Sequence, residues 1–104
     1  MVKTFDLKNK VVLVTGGYGY LGKAITESLA FHNAIVYVLG REESKFYETF
    51  KSIPEMHINF VSCDISDSLS IEKALENVLT EEGKIDCVIN NAFYQGSIPR
   101  IYVR

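Results

Sequence analysis

The sequence predicts an α/β fold of three layers, in which four parallel strands in the order 3-2-1-4 form half of a doubly wound sheet. Four short runs are rich in β-branched and aliphatic residues, and the first two, at 11–14 and 34–39, are continuously apolar, which is typical of strands buried on both faces. Between these runs, apolar residues recur at helical spacing. The resulting order, β-α-β-α-β-α-β, indicates parallel strands joined by right-handed crossovers.

The predicted strands span residues 11–14, 34–39, 58–61 and 85–89. A first helix follows a glycine cluster, and its apolar positions are Leu21, Ala24, Ile25 and Leu29. A second helix spans residues 42–53 and is ended by Pro54, because a proline disfavours helical backbone in the residue before it. The apolar face of this second helix comprises Phe46, Tyr47, Phe50 and Ile53.

The third helix carries recognisable signals at both ends. Ser66 and Asp67 offer an N-cap and an acidic residue for the first turn, and Gly83 is suited to close the helix as a C′ glycine. Between them, apolar residues follow the i, i+3, i+4, i+7, i+8 spacing without interruption: Ile71, Ala74, Leu75, Val78 and Leu79.

We expect one domain over residues 1–92, followed by an irregular tail over residues 93–104. The fourth strand would then present residues 87–89 as an apolar edge with unpaired backbone groups, which favours self-association. The tail is long enough to fold over this edge, but Pro99 limits its use as a regular strand.

The composition is that of an ordinary soluble domain, with 104 residues, 47% hydrophobic and 23% charged residues, and a net charge of -2. The chain has no excess of basic residues, so we expect no nucleic-acid partner. Neither a signal peptide nor a membrane-spanning segment is evident, so we expect a cytoplasmic protein. Cys63 and Cys87 are expected to be small buried hydrophobic residues. His32 and His57 belong to no metal-spaced cluster, and no metal site is predicted.

The segment with the clearest functional signal is residues 15–22, which read T-G-G-Y-G-Y-L-G between the first strand and the first helix. The glycines at 16, 19 and 22 fit G-x-x-G-x-x-G, and those at 17, 19 and 22 fit G-x-G-x-x-G. In this context, glycine permits a tight turn and lets the backbone approach a pyrophosphate at the helix N-terminus. The loop therefore predicts a dinucleotide site.

Three motifs in this order resemble the short-chain dehydrogenase/reductase family. The glycine loop is similar to that of the extended subgroup, which is rich in sugar-nucleotide enzymes, whereas I-D-C-V-I-N-N-A at 85–92 resembles the classical subgroup. Phe93 replaces the glycine that normally follows, and Tyr20 stands where the classical loop has its middle glycine. Cys63-Asp64-Ile65 resembles the family's segment after the third strand, where a carboxylate meets the adenine amino group.

The resemblance implies a Rossmann domain in residues 1–92 that binds NAD(P), within an oxidoreductase acting on a small carbonyl or alcohol substrate. The asparagines of N-N-A would support the central sheet and line the cofactor ribose. The expected cofactor-binding residues are Thr15, Gly16, Gly17, Tyr18, Gly19, Tyr20, Leu21, Gly22, Arg41, Asp64, Ile65, Asn90, Asn91 and Ala92.

The end of the second strand favours NADP over NAD. NAD-binding units place an acidic residue there to hold the ribose 2′-hydroxyl, whereas this chain has Gly40 followed by Arg41. An arginine binds a 2′-phosphate through charge-assisted hydrogen bonds. Glu42 and Glu43 follow and would blunt the preference, and a solvent-exposed arginine with no such role is the alternative.

No catalytic residue is predicted. The family's Tyr-x-x-x-Lys spacing occurs only at Tyr47 and Lys51, which lie on the second helix, before the third strand, rather than where the family has this motif. The first hypothesis is therefore the truncated, cofactor-binding front part of an oxidoreductase, inactive alone. A non-catalytic nucleotide-binding module and a fragment of an extended-group epimerase or dehydratase are the alternatives, although the latter should lack N-N-A.

Overall fold

The fold is known from a computed structural model. It describes residues 6–16, 18–51 and 57–91, and the backbone of residues 100–103. Its helices are α1 (Tyr20–Phe31), α2 (Glu43–Phe50) and α3 (Ser68–Glu82). Its strands are β1 (Val11–Thr15), β2 (Ile35–Gly40), β3 (Ile58–Ser62), β4 (Cys87–Asn90) and β5 (Arg100–Val103).

The sheet has the order β3-β2-β1-β4-β5. The first four strands are parallel to their neighbours, so the predicted order 3-2-1-4 is confirmed. β1 pairs with β2 on one side and with β4 on the other, which makes its carboxyl end the point where the chain's winding reverses.

The prediction of an irregular tail and an unpaired β4 edge is wrong for residues 100–103. This segment forms β5, which pairs antiparallel with β4 from Asn90↔Arg100 to Cys87↔Val103. The expectation depended on Pro99, which cannot donate to a ladder, but β5 begins at the following residue. The predicted domain boundary at residue 92 adjoins residues 92–99, which lie outside the described residues.

Side chains of the sheet alternate between two core layers, because successive strand residues point to opposite faces. Along β1, Val11 and Leu13 belong to the layer that contains Ala74 and Val78 of α3. The other layer contains the intervening β1 residues, Ala30 of α1, and two phenylalanines of α2: Val12, Val14, Phe46 and Phe50. The three-layer arrangement is therefore confirmed, with α1 and α2 on one face and α3 on the other.

The buried face of α1 differs from the one that the apolar spacing predicts. Small residues are buried, namely Gly22, Thr26 and Ala30, whereas Leu21 is 49% exposed. Gly22 packs against the turn after β1, so the helix approaches the sheet closely through its small side chains. Of the other predicted apolar positions, Ala24 is exposed and Ile25 and Leu29 are half-buried, with Leu29 packed against the core layer that contains Ala30.

The second helix is shorter than the prediction, ending at Phe50 rather than at residue 53. Its buried residues, Phe46 and Phe50, are two of the four expected, and Tyr47 is 60% exposed. Ile53 and Pro54 lie outside the described residues.

Both ends of α3 are capped, with one change from the prediction. Asp67 rather than Ser66 is the N-cap, and its carboxylate accepts a 3.0 Å hydrogen bond from the backbone N–H of Leu69. Gly83 closes the helix in the left-handed conformation, with a φ of 79°, and donates its N–H to the carbonyl oxygen of Leu79. The C′ glycine is therefore confirmed.

The two cysteines are free and pack on opposite faces of the sheet. Cys63 is fully buried and Cys87 is half-buried, and burial raises the pKa of both thiols above its ordinary value. Their interpretation as small hydrophobic residues is confirmed in full for Cys63 and in part for Cys87. Within the described ranges, no helix is long and apolar enough to cross a lipid bilayer.

Candidate functional site

The carboxyl ends of β1 and β4 are tied together by side-chain hydrogen bonds. Thr15 Oγ1 donates to Asn90 Oδ1 at 2.9 Å, and Asn91 Nδ2 donates to the carbonyl oxygen of Gly16 at 3.3 Å. These residues were all predicted from the sequence as members of one site. The bonds hold the end of β4 against the glycine turn, at the reversal point where ligands of such sheets bind.

The turn after β1 is built from backbone hydrogen bonds. Gly16 has a φ of 66°, which is the left-handed conformation that favours glycine, and its N–H donates to Leu39 O at 3.1 Å. Its carbonyl oxygen then accepts the N–H of Gly19 at 3.1 Å, and Gly19 O accepts the N–H of Lys23 at 2.7 Å. The chain therefore passes from the strand into α1 within one tight turn.

Gly19 and Gly22 are needed for different reasons. A Cβ at Gly22 would overlap the carbonyl group of Gly16 and lie 2.7 Å from Asn91 Nδ2, so this glycine is required for packing. Among the described residues, a Cβ at Gly19 would meet only Gly16 O, at an ordinary 3.5 Å. Packing against these residues therefore does not explain the glycine at position 19, whereas a close approach of a ligand to the backbone would.

The N-terminus of α1 opens on a cleft of about 550 Å³. Gly19 is the N-cap residue and provides no side-chain acceptor, and the first turn contains no acidic residue. The first N–H groups of a helix carry a partial positive charge, so this end of α1 favours an anion. The residues that line the cleft are Gly16, Tyr18, Gly19, Tyr20, Leu21, Lys45 and Asn91.

The cleft also contains a buried hydrogen-bond acceptor. Asn91 is 94% buried, since its relative exposure is 6%, and its Oδ1 atom has no hydrogen-bond partner among the described residues. An unsatisfied buried acceptor costs free energy of about 1–3 kcal/mol. A ligand hydroxyl or amide that donates to Oδ1 would remove this cost.

Tyr18 lies across the end of β2. Its hydroxyl is 3.4 Å from the backbone N–H of Glu42, and its ring lies directly above Gly40. The ring also packs against the core layer of α1 and α2, so the side chain is half-buried and held in position. Tyr18 therefore joins the glycine turn to the beginning of α2.

Lys45 is a cleft residue that the sequence analysis missed. It lies in the first turn of α2, lines the cleft with Tyr18, and forms a 3.1 Å ion pair with Glu42. The signal that could have found it is a second basic residue shortly after Arg41, at the start of a helix that begins beside the predicted site.

Arg41 and Asp64 follow β2 and β3 and belong to the same edge of the sheet. A hydrogen bond from the Ser66 hydroxyl, supplemented by the Ser66 N–H, lowers the pKa of Asp64, and the positive charge of Arg41 lowers it further. Arg41 is exposed and lies close enough to interact electrostatically with this carboxylate.

The remaining predicted residues are distributed as follows. Ile65 packs against the core layer on the α3 side instead of facing the cleft, and Gly17 and Ala92 lie outside the described residues. The Tyr-x-x-x-Lys pair lies on or beside α2, where Tyr47 is 60% exposed and Lys51 forms an ion pair with Glu48 at 2.9 Å.

The profile of a protein family described as short chain dehydrogenase matches residues 10–100. The chain belongs to the short-chain dehydrogenase/reductase family. Within this family, a short-chain dehydrogenase/reductase of Armillaria gallica is 36% identical over 90 residues, which cover 84% of this chain and 29% of the relative.

Solved structures of short-chain dehydrogenases agree with the fold. The crystal structure of a short chain dehydrogenase from Bacillus anthracis is similar with a TM-score of 0.77 and 34% identity, over 83% of this chain and 35% of that one. Actinorhodin polyketide ketoreductase, crystallised with NADPH, is similar with a TM-score of 0.75 and 29% identity, over 82% of this chain and 33% of that one. The chain therefore spans about a third of the length of these short-chain dehydrogenases.

Proposed function

We propose that this chain binds a nicotinamide dinucleotide, with NADP(H) preferred over NAD(H), and represents the cofactor-binding part of an oxidoreductase. The observation that carries the proposal is the cleft at the carboxyl ends of β1 and β4, which opens on the uncapped N-terminus of α1. A dinucleotide supplies the anion that this end of the helix favours.

The glycine turn would hold the diphosphate. Gly19 leaves the backbone accessible, and the α1 N–H groups beyond it can donate to phosphate oxygens. Asn91 would accept a hydrogen bond from a ribose hydroxyl through its Oδ1 atom, which no described residue contacts by a hydrogen bond, while Thr15 and Asn90 hold the strand ends together. By family resemblance, Asp64 and the adjacent backbone of Ile65 would contact the adenine.

The preference for NADP(H) is supported by the groups at the end of β2. This strand ends in Gly40 and so offers no carboxylate to a ribose diol, and the next residue is Arg41, whose guanidinium would bind a 2′-phosphate. The similar ketoreductase was crystallised with NADPH, which agrees with this assignment.

The bound nicotinamide would supply hydride transfer, and the residues of this chain would bind and orient it. The substrate of the whole protein would be a small carbonyl compound or alcohol, and the compartment is predicted to be the cytoplasm. A nucleotide-binding module without catalysis is the runner-up, and the turnover assay in the Discussion separates it from an active enzyme.

Isothermal titration calorimetry with NADPH tests the proposal. Wild-type protein should bind NADPH, and Gly19→Val should lose most of the affinity because its side chain would occupy the space that the phosphates need. Circular dichroism provides the folding control, since the structure leaves room for a Cβ at position 19. A folded Gly19→Val variant that binds NADPH as well as wild type does would overturn the site.

A further inference from the structure

The side chain of Tyr18 occupies the space that a side chain at position 40 would need. A Cβ at Gly40 would lie 2.5 Å from the Tyr18 hydroxyl oxygen and 2.8 Å from its ring carbon Cζ, which are distances that real Cβ atoms do not adopt. Tyr18 packs against the core layer of α1 and α2, so a side chain at position 40 would have to displace its ring. With glycine at position 40, the nearest side-chain charges along the chain come from the segment that follows β2.

That segment contributes two cations. Arg41 directly follows the strand and is exposed, and Lys45 lines the cleft with Tyr18 and Gly19. The carboxylates that oppose them are Glu42, which pairs with Lys45, Glu43 of the first turn of α2, and Asp64, whose pKa Arg41 helps to lower. The positive charge of Arg41 would therefore act on the Asp64 carboxylate as well as on a bound ligand.

We propose that Lys45 is a second specificity-determining residue, which binds the 2′-phosphate of NADP(H) together with Arg41. This inference rests on the proposed function. A ribose phosphate carries a charge of about −1.5 to −2 at neutral pH, more than one guanidinium neutralises, and Arg41 is also near Asp64.

Lys45 is free to make this contact at little cost. Its ion pair with Glu42 joins side chains that are 68% and 53% exposed, and exposed pairs contribute little to stability. The lysine stem is long and flexible, so its ammonium can turn from Glu42 towards a phosphate in the cleft that it already lines.

Lys51, the residue directly after α2, provides a matched control. It forms an i,i+3 ion pair with Glu48, as Lys45 does with Glu42, and its side chain is 66% exposed, but it does not line the cleft. Lys45→Met and Lys51→Met therefore remove the same charge and an equivalent ion pair. Their comparison cancels any general effect of net charge.

The test measures binding of 2′,5′-ADP and of 5′-ADP, which differ in the 2′-phosphate, to the wild-type chain and both variants by calorimetry. Lys45→Met should weaken 2′,5′-ADP binding about fivefold to tenfold, as expected for one exposed charge-assisted contact, with no change for 5′-ADP. Lys51→Met should bind both compounds as wild type does, and Lys45→Arg should retain most of the affinity.

The outcomes separate this inference from the proposed function. If wild type binds neither compound nor NADPH, the dinucleotide site itself is wrong. If wild type prefers 2′,5′-ADP but Lys45→Met and Lys51→Met behave alike, the site stands and the role of Lys45 is overturned. Equal weakening of both compounds by Lys45→Met also overturns it, because the contact would not be to the 2′-phosphate.

Discussion

Gly22 of α1 lies against the backbone carbonyl of Gly16, so closely that a Cβ on Gly22 would overlap it. The same Cβ would lie 2.7 Å from the Asn91 amide nitrogen, which itself donates to Gly16 O. This contact joins the first helix, the glycine turn and the end of β4 at one point, so its disruption should affect folding as well as binding.

Gly22→Ala is expected to lower the free energy of unfolding by about 2 kcal/mol, because the added methyl group forces apart backbone that cannot relax cheaply. Gly19→Ala is the control, since a Cβ there would make an ordinary 3.5 Å contact with Gly16 O. Urea denaturation followed by circular dichroism measures both. Equal stability of the two variants would show that the close packing at Gly22 is not important for folding.

Arg41→Asp should weaken NADPH binding more than NADH binding, because it removes a phosphate partner and adds a like charge. A hydrogen bond between charged groups contributes about 1.5–3 kcal/mol, so the ratio of the two affinities should change about tenfold to a hundredfold. Fluorescence titration with both reduced cofactors measures this ratio. If both cofactors weaken equally, or neither does, Arg41 does not bind the 2′-phosphate.

Asp86 should make stability depend on pH. Its carboxylate accepts the Val11 N–H at 2.7 Å and pairs with Lys84 at 3.1 Å, while its own N–H donates to Val11 O at 2.9 Å. The hydrogen bond from Val11, supplemented by Lys84, lowers the pKa of Asp86. The folded state therefore favours the ionised carboxylate, and its contribution is complete above the ordinary carboxyl pKa of about 3.9 and lost as the pH falls through the lowered value.

Asp86→Asn is expected to cost about 1–2 kcal/mol of stability at pH 7 and to flatten the loss of stability below about pH 4. The matched control is Glu72→Gln, which neutralises an exposed carboxylate on α3. Urea denaturation between pH 7 and pH 3 gives both quantities. Parallel pH profiles for wild type and Asp86→Asn would argue against this role of Asp86.

The pairing of β5 with β4 predicts slow amide exchange in β4. Ile101 lies opposite Ile89 in the register, and Ile101→Pro would remove an N–H from β5 and disturb the ladder. We expect faster hydrogen exchange over residues 87–90 and concentration-dependent self-association of the variant, since the β4 edge becomes available to a second chain. Unchanged exchange in β4, together with a monomeric elution volume, would contradict a protective role for β5.

The purified chain should show no dehydrogenase turnover with NADPH and a panel of small carbonyl substrates. General acid–base catalysis contributes typically about 10²- to 10⁴-fold, and the cleft residues that the structure describes include no tyrosine with a lysine four residues later. Tyr47 is the only tyrosine with a lysine at the family spacing, and it is 60% exposed on α2. Turnover that Tyr47→Phe abolishes would show that this pair is catalytic after all.

The sequence by itself determined the order of the elements from β1 to β4 and pointed to the place of the candidate site. Apolar runs identify the four parallel strands, Gly83 identifies the end of α3, and the glycines at 16, 19 and 22 identify the turn that opens α1. These features could be predicted because strand burial, helix termination and left-handed backbone depend mainly on the residue and its near neighbours.

The tertiary structure alone decided how distant residues combine. It turns the small face of α1 to the sheet, lays Tyr18 over Gly40, brings Lys45 into the cleft and pairs β5 with β4. None of these contacts follows a periodic pattern, because each depends on the separation of elements that are far apart in the chain. Side-chain volume and backbone hydrogen bonding set those separations only once the sheet and helices have packed together.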